Sequence, residues 1–259
     1  MIRLFTIGYD SGSVQRQEEL SECLRRNLDN RFLGQVVLWQ YNGVAPSPHP
    51  KLSVFSRDRQ PTFEDLFALA NSLCAEGDVA IVANSDIWFD ETAVLTERIL
   101  PMQCFALLRT EETGQLSATR EGKLRKDSQD AWVFRAPIRP AGAHFHLGRS
   151  GCDNALAYLL TRRGYEVRNP AKSIRIHHRH ASRVRPFTAR KYRVPPPWMH
   201  VEPTDIDHAG ERTLVPVNGL KWWWRIQWRR IAGQPGAAQV AAIVKSRRDG
   251  RWGKPGTAI

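Results

Sequence analysis

The 259-residue chain lacks the features that are typical of membrane-spanning proteins, of secreted proteins and of proteins with a structural zinc site. No apolar run approaches the roughly 20 residues that a membrane-spanning helix needs, and the apolar start over residues 1–7 is too short for a signal-peptide core. The four cysteines form no Cys-x-x-Cys pair, so neither a structural zinc cluster nor a disulfide framework is expected. We therefore expect a cytoplasmic protein with reduced, buried cysteines.

The formal charge of +12 is concentrated in the last third of the chain. Residues 1–171 hold 20 Lys and Arg against 21 Asp and Glu, whereas residues 172–259 hold 18 against 5. The composition also changes near residue 190, which predicts a main domain over residues 1–190 and a basic extension over residues 191–259. Such an extension suits a polyanionic neighbour: an anionic membrane, a phosphate-bearing lipid-linked acceptor or nucleic acid.

Short apolar strands alternate with helical patterns through the main domain. Residues 2–7, 35–39 and 79–83 are typical of strands, and the third is apolar throughout, as in a strand buried on both faces. Thr62 and Asp65 form a capping signature ahead of an apolar helix. Later strands are predicted at residues 104–108 and 131–134, and a helix at residues 154–163. This alternation predicts an α/β fold with a mixed, mainly parallel sheet flanked by helices.

Asp86 follows the apolar strand at residues 79–83 directly. The carboxyl ends of strands in open α/β sheets are where ligands bind. A hard cation such as Mg²⁺ or Mn²⁺ takes one or two carboxylates together with diphosphate oxygens, so Asp86 is a candidate metal ligand. A turn in which Asn84 and Asp86 only satisfy backbone groups is the alternative.

Asp153 lies at the start of the predicted helix over residues 154–163. A carboxylate there is either a general base aimed at an acceptor hydroxyl or a residue favoured by the helix dipole. Residues 128–130 form a polar triplet before the strand at 131–134, and either contact a sugar or acceptor or form a turn.

Three histidines occur in an extended segment at residues 173–180. A period of two places His178 and His180 on one face and His177 on the other. The first pair is able to ligate a metal together with Asp86, and solvated surface histidines are the alternative.

The order of these segments resembles that of GT-A glycosyltransferases. Residues 84–86 stand where that fold has its Asp-x-Asp-like metal motif, Asp153 opens a late helix that ends at residues 164–165, and a histidine follows. More closely, residues 60–63, 83–87, 128–132 and 151–154 look like segments of family-2-like sugar transferases, and the resemblance spans roughly residues 1–187. Asn84 replaces the first Asp of the motif, so metal affinity is expected to depend on the bound diphosphate.

The resemblance implies a site as well as a fold. It implies a divalent cation, Mn²⁺ or Mg²⁺, and a nucleotide-diphosphate sugar, expected to be a UDP-sugar, as donor. Asp153 is implied as the catalytic base, with metal ligands among Asp86, His178 and His180. The implied nucleotide-binding residues are Thr6, Gly8, Tyr9, Arg59, Asn84 and Ser85. The implied acceptor-binding residues are Gln129, Asp130 and Trp132.

The implied function is a metal-dependent, inverting glycosyltransferase that acts on a glycan or lipid-linked acceptor in surface polysaccharide or lipopolysaccharide assembly. The Trp- and Arg-rich residues 221–230 suggest contact with the inner face of the plasma membrane, or else packing on the domain. Two alternatives are a nucleic-acid-binding protein using the tail and a metal-dependent hydrolase or nuclease built on Asp86, Asp153 and the histidines. Nucleic acid is not the expected partner, because the basicity is confined to the tail.

Overall fold

A computed structural model describes residues 1–179, 181–182, 193–208 and 214–217. These residues belong to one compact unit, Met1–Val217. His180, the predicted domain boundary near residue 190 and the Trp-rich residues 221–230 lie outside the described residues. No helix in the described ranges is long and apolar enough to cross a membrane.

The helices of the described part are α1 (Val14–Asp29), α2 (Phe63–Leu73) and α3 (Cys152–Arg162), with a 3-10 helix at Glu91–Arg98. The strands of the first half are β1 (Ile2–Gly8), β2 (Gln35–Gln40), β3 (Leu52–Ser56), β4 (Val79–Ala83) and β5 (Ile87–Phe89). The remaining strands are β6 (Gln103–Leu107), β7 (Ala131–Arg135), β8 (Glu166–Arg168), β9 (Ile176–His178), β10 (Trp198–Val201) and β11 (Leu214–Val217).

Seven strands form the central sheet in the order β3-β2-β1-β4-β7-β6-β8. The pairs β1–β2, β2–β3, β1–β4 and β6–β8 are parallel, and β7 runs antiparallel to both of its neighbours. The prediction of a mixed, mainly parallel α/β sheet is confirmed. The two-stranded pairs β5–β9 and β10–β11 stand outside this sheet.

The reversal of β7 gathers polar loops at one edge of the sheet. Ala83, the last residue of β4, pairs with Ala131, the first residue of β7. The segment that leaves β4 and the segment that enters β7 therefore lie side by side, next to the loop that leaves β1. All five residues of β4 are buried, as expected for a central strand with both faces covered.

Local capping explains where α1 and α2 begin. Ser13 accepts a hydrogen bond from the backbone N–H of Arg16, and Thr62 and Asp65 form the predicted reciprocal capping box of α2. In contrast, α3 begins after Gly151, which has a φ of 81° and no side-chain cap. A left-handed residue at this point favours glycine, and it turns the chain so that Asp153 occupies the first helical turn.

Several short strands were not predicted from the sequence. The edge strand β3 follows a Pro-rich stretch and is only partly buried, so its apolar pattern is weak. The pair β5–β9 joins Ile87 to His178, which are 91 positions apart, and such a bridge has no local signature. This pairing nevertheless carries the predicted histidine segment to the loop that contains Asp86.

Candidate active site

A cleft of about 360 Å³ opens at the sheet edge where β1 and β4 end and β7 begins. The loops after β1 and β4, the start of β7, the amino end of α3 and the end of β9 all contribute to its wall. Among the residues predicted as functional, the cleft brings together Tyr9, Asn84, Ser85, Asp86, Asp130, Asp153 and His178. Asp86 and Asp153, separated by 67 positions in the chain, thus face one cavity.

Asp86 is held by an arginine from α1. Arg16 Nη2 donates a hydrogen bond of 2.6 Å to Asp86 Oδ2, and His178 Nε2 lies 3.3 Å from the same oxygen. The Arg16 side chain is almost fully buried, and its pKa is raised: burial opposes the charge, but Asp86 and Glu19 more than compensate. Arg16 therefore carries a permanent positive charge against Asp86.

A second set of bonds fixes Arg16 in place. Arg16 Nη1 donates to Glu19 Oε2 at 2.9 Å and to the backbone oxygen of Arg179 at 3.2 Å. Glu19 in turn accepts from the backbone N–H and the hydroxyl of Ser182, at 2.7 and 2.9 Å. The chain after β9 is thereby tied to α1, and Asp86 belongs to a network with Arg16, Glu19, Ser182 and His178 rather than to an isolated turn.

His178 lies between two carboxylates. Its Nε2 faces Asp86, and its Nδ1 lies 3.4 Å from Glu111 Oε2. Burial lowers the pKa of His178, but the bond to Asp86 and the charge of Asp86 outweigh burial, and the pKa is raised overall. His177 points the other way, as predicted, and bonds Asp90 at 2.9 Å. A ring that faces carboxylates on both nitrogens is favoured as a doubly protonated cation.

Asp153 has a strongly perturbed carboxyl group in the cleft. Burial, followed by the charge of Asp130, raises the pKa of Asp153 to about 7. The Cys152 thiol, 3.1 Å from Asp153 Oδ1, and the guanidinium of Arg109 oppose this rise only in part. A carboxyl with a pKa near neutrality is suited to accept a proton from a hydroxyl and to release it again.

Asp130 is an ion-paired residue at the entry to β7. It accepts hydrogen bonds from Asn84 Nδ2 at 3.0 Å and from Arg109 Nη1 at 3.2 Å. Arg109 also bonds Glu111 at 2.9 Å, and its pKa is raised because Asp130 and Glu111 outweigh the burial that opposes its charge. Arg109 therefore lies between the carboxylates of Asp130 and Glu111 and bonds both of them. Glu111 in turn faces His178.

Other predicted residues lie beside the cleft or in the core. Thr6 and Gly8 line an adjoining cavity of about 130 Å³, and Thr6 Oγ1 bonds the backbone oxygen of Ala83. Arg59 is exposed and pairs with Asp65 at 2.7 Å. Trp132 is 2% exposed and packs edge-on against Phe63.

Gln129, predicted to bind the acceptor, is 1% exposed and donates to the backbone oxygen of Lys126. Like Trp132 and Arg59, it lies outside the residues that line the main cleft. The roles predicted for these side chains remain predictions.

The structure adds residues that the sequence analysis did not select. Tyr41 follows β2 just as Tyr9 follows β1, and their rings stack with centroids 5.7 Å apart at the cleft wall. Because β1 and β2 are parallel neighbours, the position of a tyrosine directly after each strand could have indicated from the sequence that the two rings lie close together. The arginines that line the cleft are Arg16, Arg109, Arg125, Arg149 and Arg193.

Solved structures similar to this one include glycosyltransferases and nucleotidyltransferases. TarS of S. aureus is 10% identical, with 52% of this chain and 46% of that chain covered and a TM-score of 0.33. GalNAc-T7, crystallised with UDP, GalNAc and Mn²⁺, is 10% identical, with coverages of 96% and 54% and a TM-score of 0.49. The cytidylyltransferase IspD of Francisella tularensis is 11% identical, with coverages of 65% and 89% and a TM-score of 0.39.

The resemblance is one of fold. The expected likeness to nucleotide-diphospho-sugar transferases is confirmed at that level, and the chain spans about half the length of TarS and of GalNAc-T7. No protein-family model matches the chain, and no curated protein matches it. Activity and substrate therefore have to be argued from the cleft itself.

The described residues do not fit a preformed site for the predicted divalent cation. No group of three or more His, Cys, Asp or Glu side chains within the described ranges is arranged to hold a metal. Asp86 Oδ2 is bonded to the guanidinium of Arg16, and the two ring nitrogens of His178 already face the carboxylates of Asp86 and Glu111. His180, the third predicted ligand, lies outside the described residues, so the metal itself remains a prediction.

Proposed function

We propose that this chain transfers a sugar from a nucleotide-diphosphate donor to an acceptor hydroxyl, with Asp153 as the general base. The observation that carries the proposal is the convergence of a proton-accepting carboxyl and several arginines on one cleft at the sheet edge. The carboxyl meets the need for a base, and the guanidinium groups meet the need to hold a diphosphate.

Asp153 takes the proton from the acceptor hydroxyl as that oxygen attacks the anomeric carbon. The bond between the anomeric carbon and the donor diphosphate breaks, and the nucleoside diphosphate leaves with the bonding electrons. Attack from the side opposite the leaving group inverts the anomeric configuration. A pKa of about 7 leaves a useful fraction of Asp153 ionised near neutrality, which supports this role.

The part of the wall that follows β1 and β2 is suited to the nucleoside part of the donor. Tyr9 and Tyr41 offer stacked aromatic rings at the ends of β1 and β2, next to Asn84 and Ser85. Aromatic faces stack on bases of any identity, so this feature supports a nucleotide without selecting one. The acceptor class, a glycan or lipid-linked saccharide at the inner face of a membrane, belongs to the same proposal.

The experiment is a screen of nucleotide sugars with glycan acceptors, in which the nucleoside diphosphate released and the extended glycan are both quantified. We expect product formation by the wild type and none by Asp153→Asn, which keeps the size of the side chain but cannot take a proton. The variant should still bind the nucleoside diphosphate. Unimpaired turnover by Asp153→Asn would remove Asp153 from the base role.

Two other products would show that the chain catalyses a reaction different from the proposed one. Release of pyrophosphate from a nucleoside triphosphate and a sugar phosphate would make the chain a nucleotidyltransferase. Release of free sugar that is faster than transfer to every acceptor would make it a hydrolase.

A further inference from the structure

The position predicted for a metal is taken by a protein cation. Asp86, the carboxylate expected to bind the metal, accepts a 2.6 Å hydrogen bond from Arg16 Nη2. A divalent ion on the same oxygen would stand against a guanidinium that bears a like charge. Metal binding at this point would therefore require Arg16 to move away.

Arg16 has no simple way to move. It is 4% exposed, and its Nη1 group is bonded to Glu19 and to the backbone oxygen of Arg179. Displacing it would leave the buried carboxylate of Glu19 without its cation, which is costly. The bonds from Ser182 to Glu19 hold the other side of the same network.

One hydrogen-bond donor of the Arg16 guanidinium has no acceptor among the described residues. The Nε–H group is buried and has no hydrogen-bond partner among the described residues, although Arg16 lines the cavity. A buried donor without an acceptor is unfavourable, and a ligand oxygen that reached this guanidinium would offset part of that cost. A phosphate oxygen has the charge and geometry that a guanidinium prefers.

Arginines also outnumber carboxylates among the residues that line the cleft. Besides Arg16, four arginines line it: Arg109, Arg125, Arg149 and Arg193. The carboxylates that line it are Asp86, Asp127, Asp130 and Asp153. Arg193 stands beside Gly151 at the amino end of α3, where its Cγ and Nε lie 3.4 and 3.5 Å from the position that a Cβ on Gly151 would take. The lining thus holds five arginines against four carboxylates.

We propose that the guanidinium of Arg16, locked against Asp86, replaces the divalent cation of this site, so that the nucleotide diphosphate binds to protein arginines without a metal. This inference rests on the proposed function, since it names how that donor is held. It assigns Arg16 as a donor-binding residue, and Asp86 as the residue that positions it.

The test is calorimetric binding of UDP, CDP, GDP, ADP and TDP to the full chain, in EDTA and again in Mn²⁺. We expect at least one diphosphate to bind in EDTA, and Mn²⁺ to leave its affinity unchanged. Arg16→Gln should weaken binding in EDTA about tenfold to a hundredfold, the range for a lost hydrogen bond to a charged group. Arg120→Gln, an exposed change outside the cleft, should have no effect.

Removing the Arg16 guanidinium from Asp86 should also make diphosphate affinity depend on Mn²⁺. In Arg16→Gln we expect Mn²⁺ to recover part of the lost affinity, and in the double variant Arg16→Gln with Asp86→Asn this recovery should vanish. Thermal melting checks that each variant is folded. If Arg16→Gln does not fold, the diphosphate affinity of the wild type in EDTA and in Mn²⁺ still shows whether binding requires a metal.

The outcomes separate the two proposals. Binding by the wild type only when Mn²⁺ is present overturns the metal-free inference and leaves the transferase proposal standing. Equal affinity of Arg16→Gln and the wild type in EDTA overturns the assignment of Arg16. Absence of binding for every diphosphate under both conditions overturns the proposed function, and the inference with it.

Discussion

The ionised carboxylate of Asp153 should destabilise the folded protein, and Asp153→Asn should therefore raise its stability at alkaline pH. Burial and the charge of Asp130 raise the pKa of Asp153 from its ordinary value of 3.8 to about 7. Between these two values the folded state retains a proton that the unfolded state has lost. Stability is therefore lost as pH rises from about 4 to about 7, and the loss is complete above pH 7.

The size of the effect follows from the same shift. A pKa raised from 3.8 to about 7 corresponds to about 4 kcal/mol for a carboxyl sealed from water. Asp153 is only partly buried at the cleft wall, so solvent reduces the penalty, and we expect about 2 kcal/mol. For a unit of this size the gain in Asp153→Asn is about 4 to 8 °C in Tm.

The assay is thermal or denaturant unfolding of wild type and Asp153→Asn at pH 4, 6 and 8. The stability difference between the two proteins should be close to zero at pH 4, should grow at pH 6, and should reach its plateau at pH 8. Comparison at each pH cancels the titration of groups that do not interact with Asp153. A variant that is less stable than the wild type at pH 8 would contradict this prediction, because the Asp153 carboxylate would then be stabilised by its neighbours.

Three further changes test other parts of the structure. Gly8→Ala places a Cβ against the side chains of Gln40 and Leu38, so we expect a loss of about 1–3 kcal/mol in denaturant unfolding, part of which is recovered when Gln40→Ala removes the first contact. Tyr41→Ala removes the ring stacked on Tyr9 and should weaken nucleotide binding about tenfold by calorimetry, whereas Tyr41→Phe should bind like the wild type. Thr62→Ala breaks the capping box of α2 and should cost about 1 kcal/mol of unfolding free energy; no loss would mean that the cap is redundant.

The main elements of the fold could be predicted because their signals are local. The apolar runs at β1, β2 and β4, the capping box of α2 and the glycine before α3 each depend on neighbours a few residues away. The edge strand β3 could not, because it is only partly buried and its apolar pattern is weak, and the pairing of β5 with the extended histidine segment at β9 could not, because the two are remote in the chain. The same distinction applies to the cleft.

Local sequence pattern is enough to predict that polar residues follow buried strands, and therefore that Asp86 and Tyr9 stand at one edge of the sheet. The groups that surround these two residues depend on the folding of the whole chain. Arg16 comes from α1, 70 positions before Asp86, and charges that distant meet only when the chain is folded. Burial and the proximity of Asp130 likewise set the pKa of Asp153, and neither can be read from its position at a helix start. Local pattern determines secondary structure, whereas charge state and pairing depend on which remote groups share a desolvated cavity.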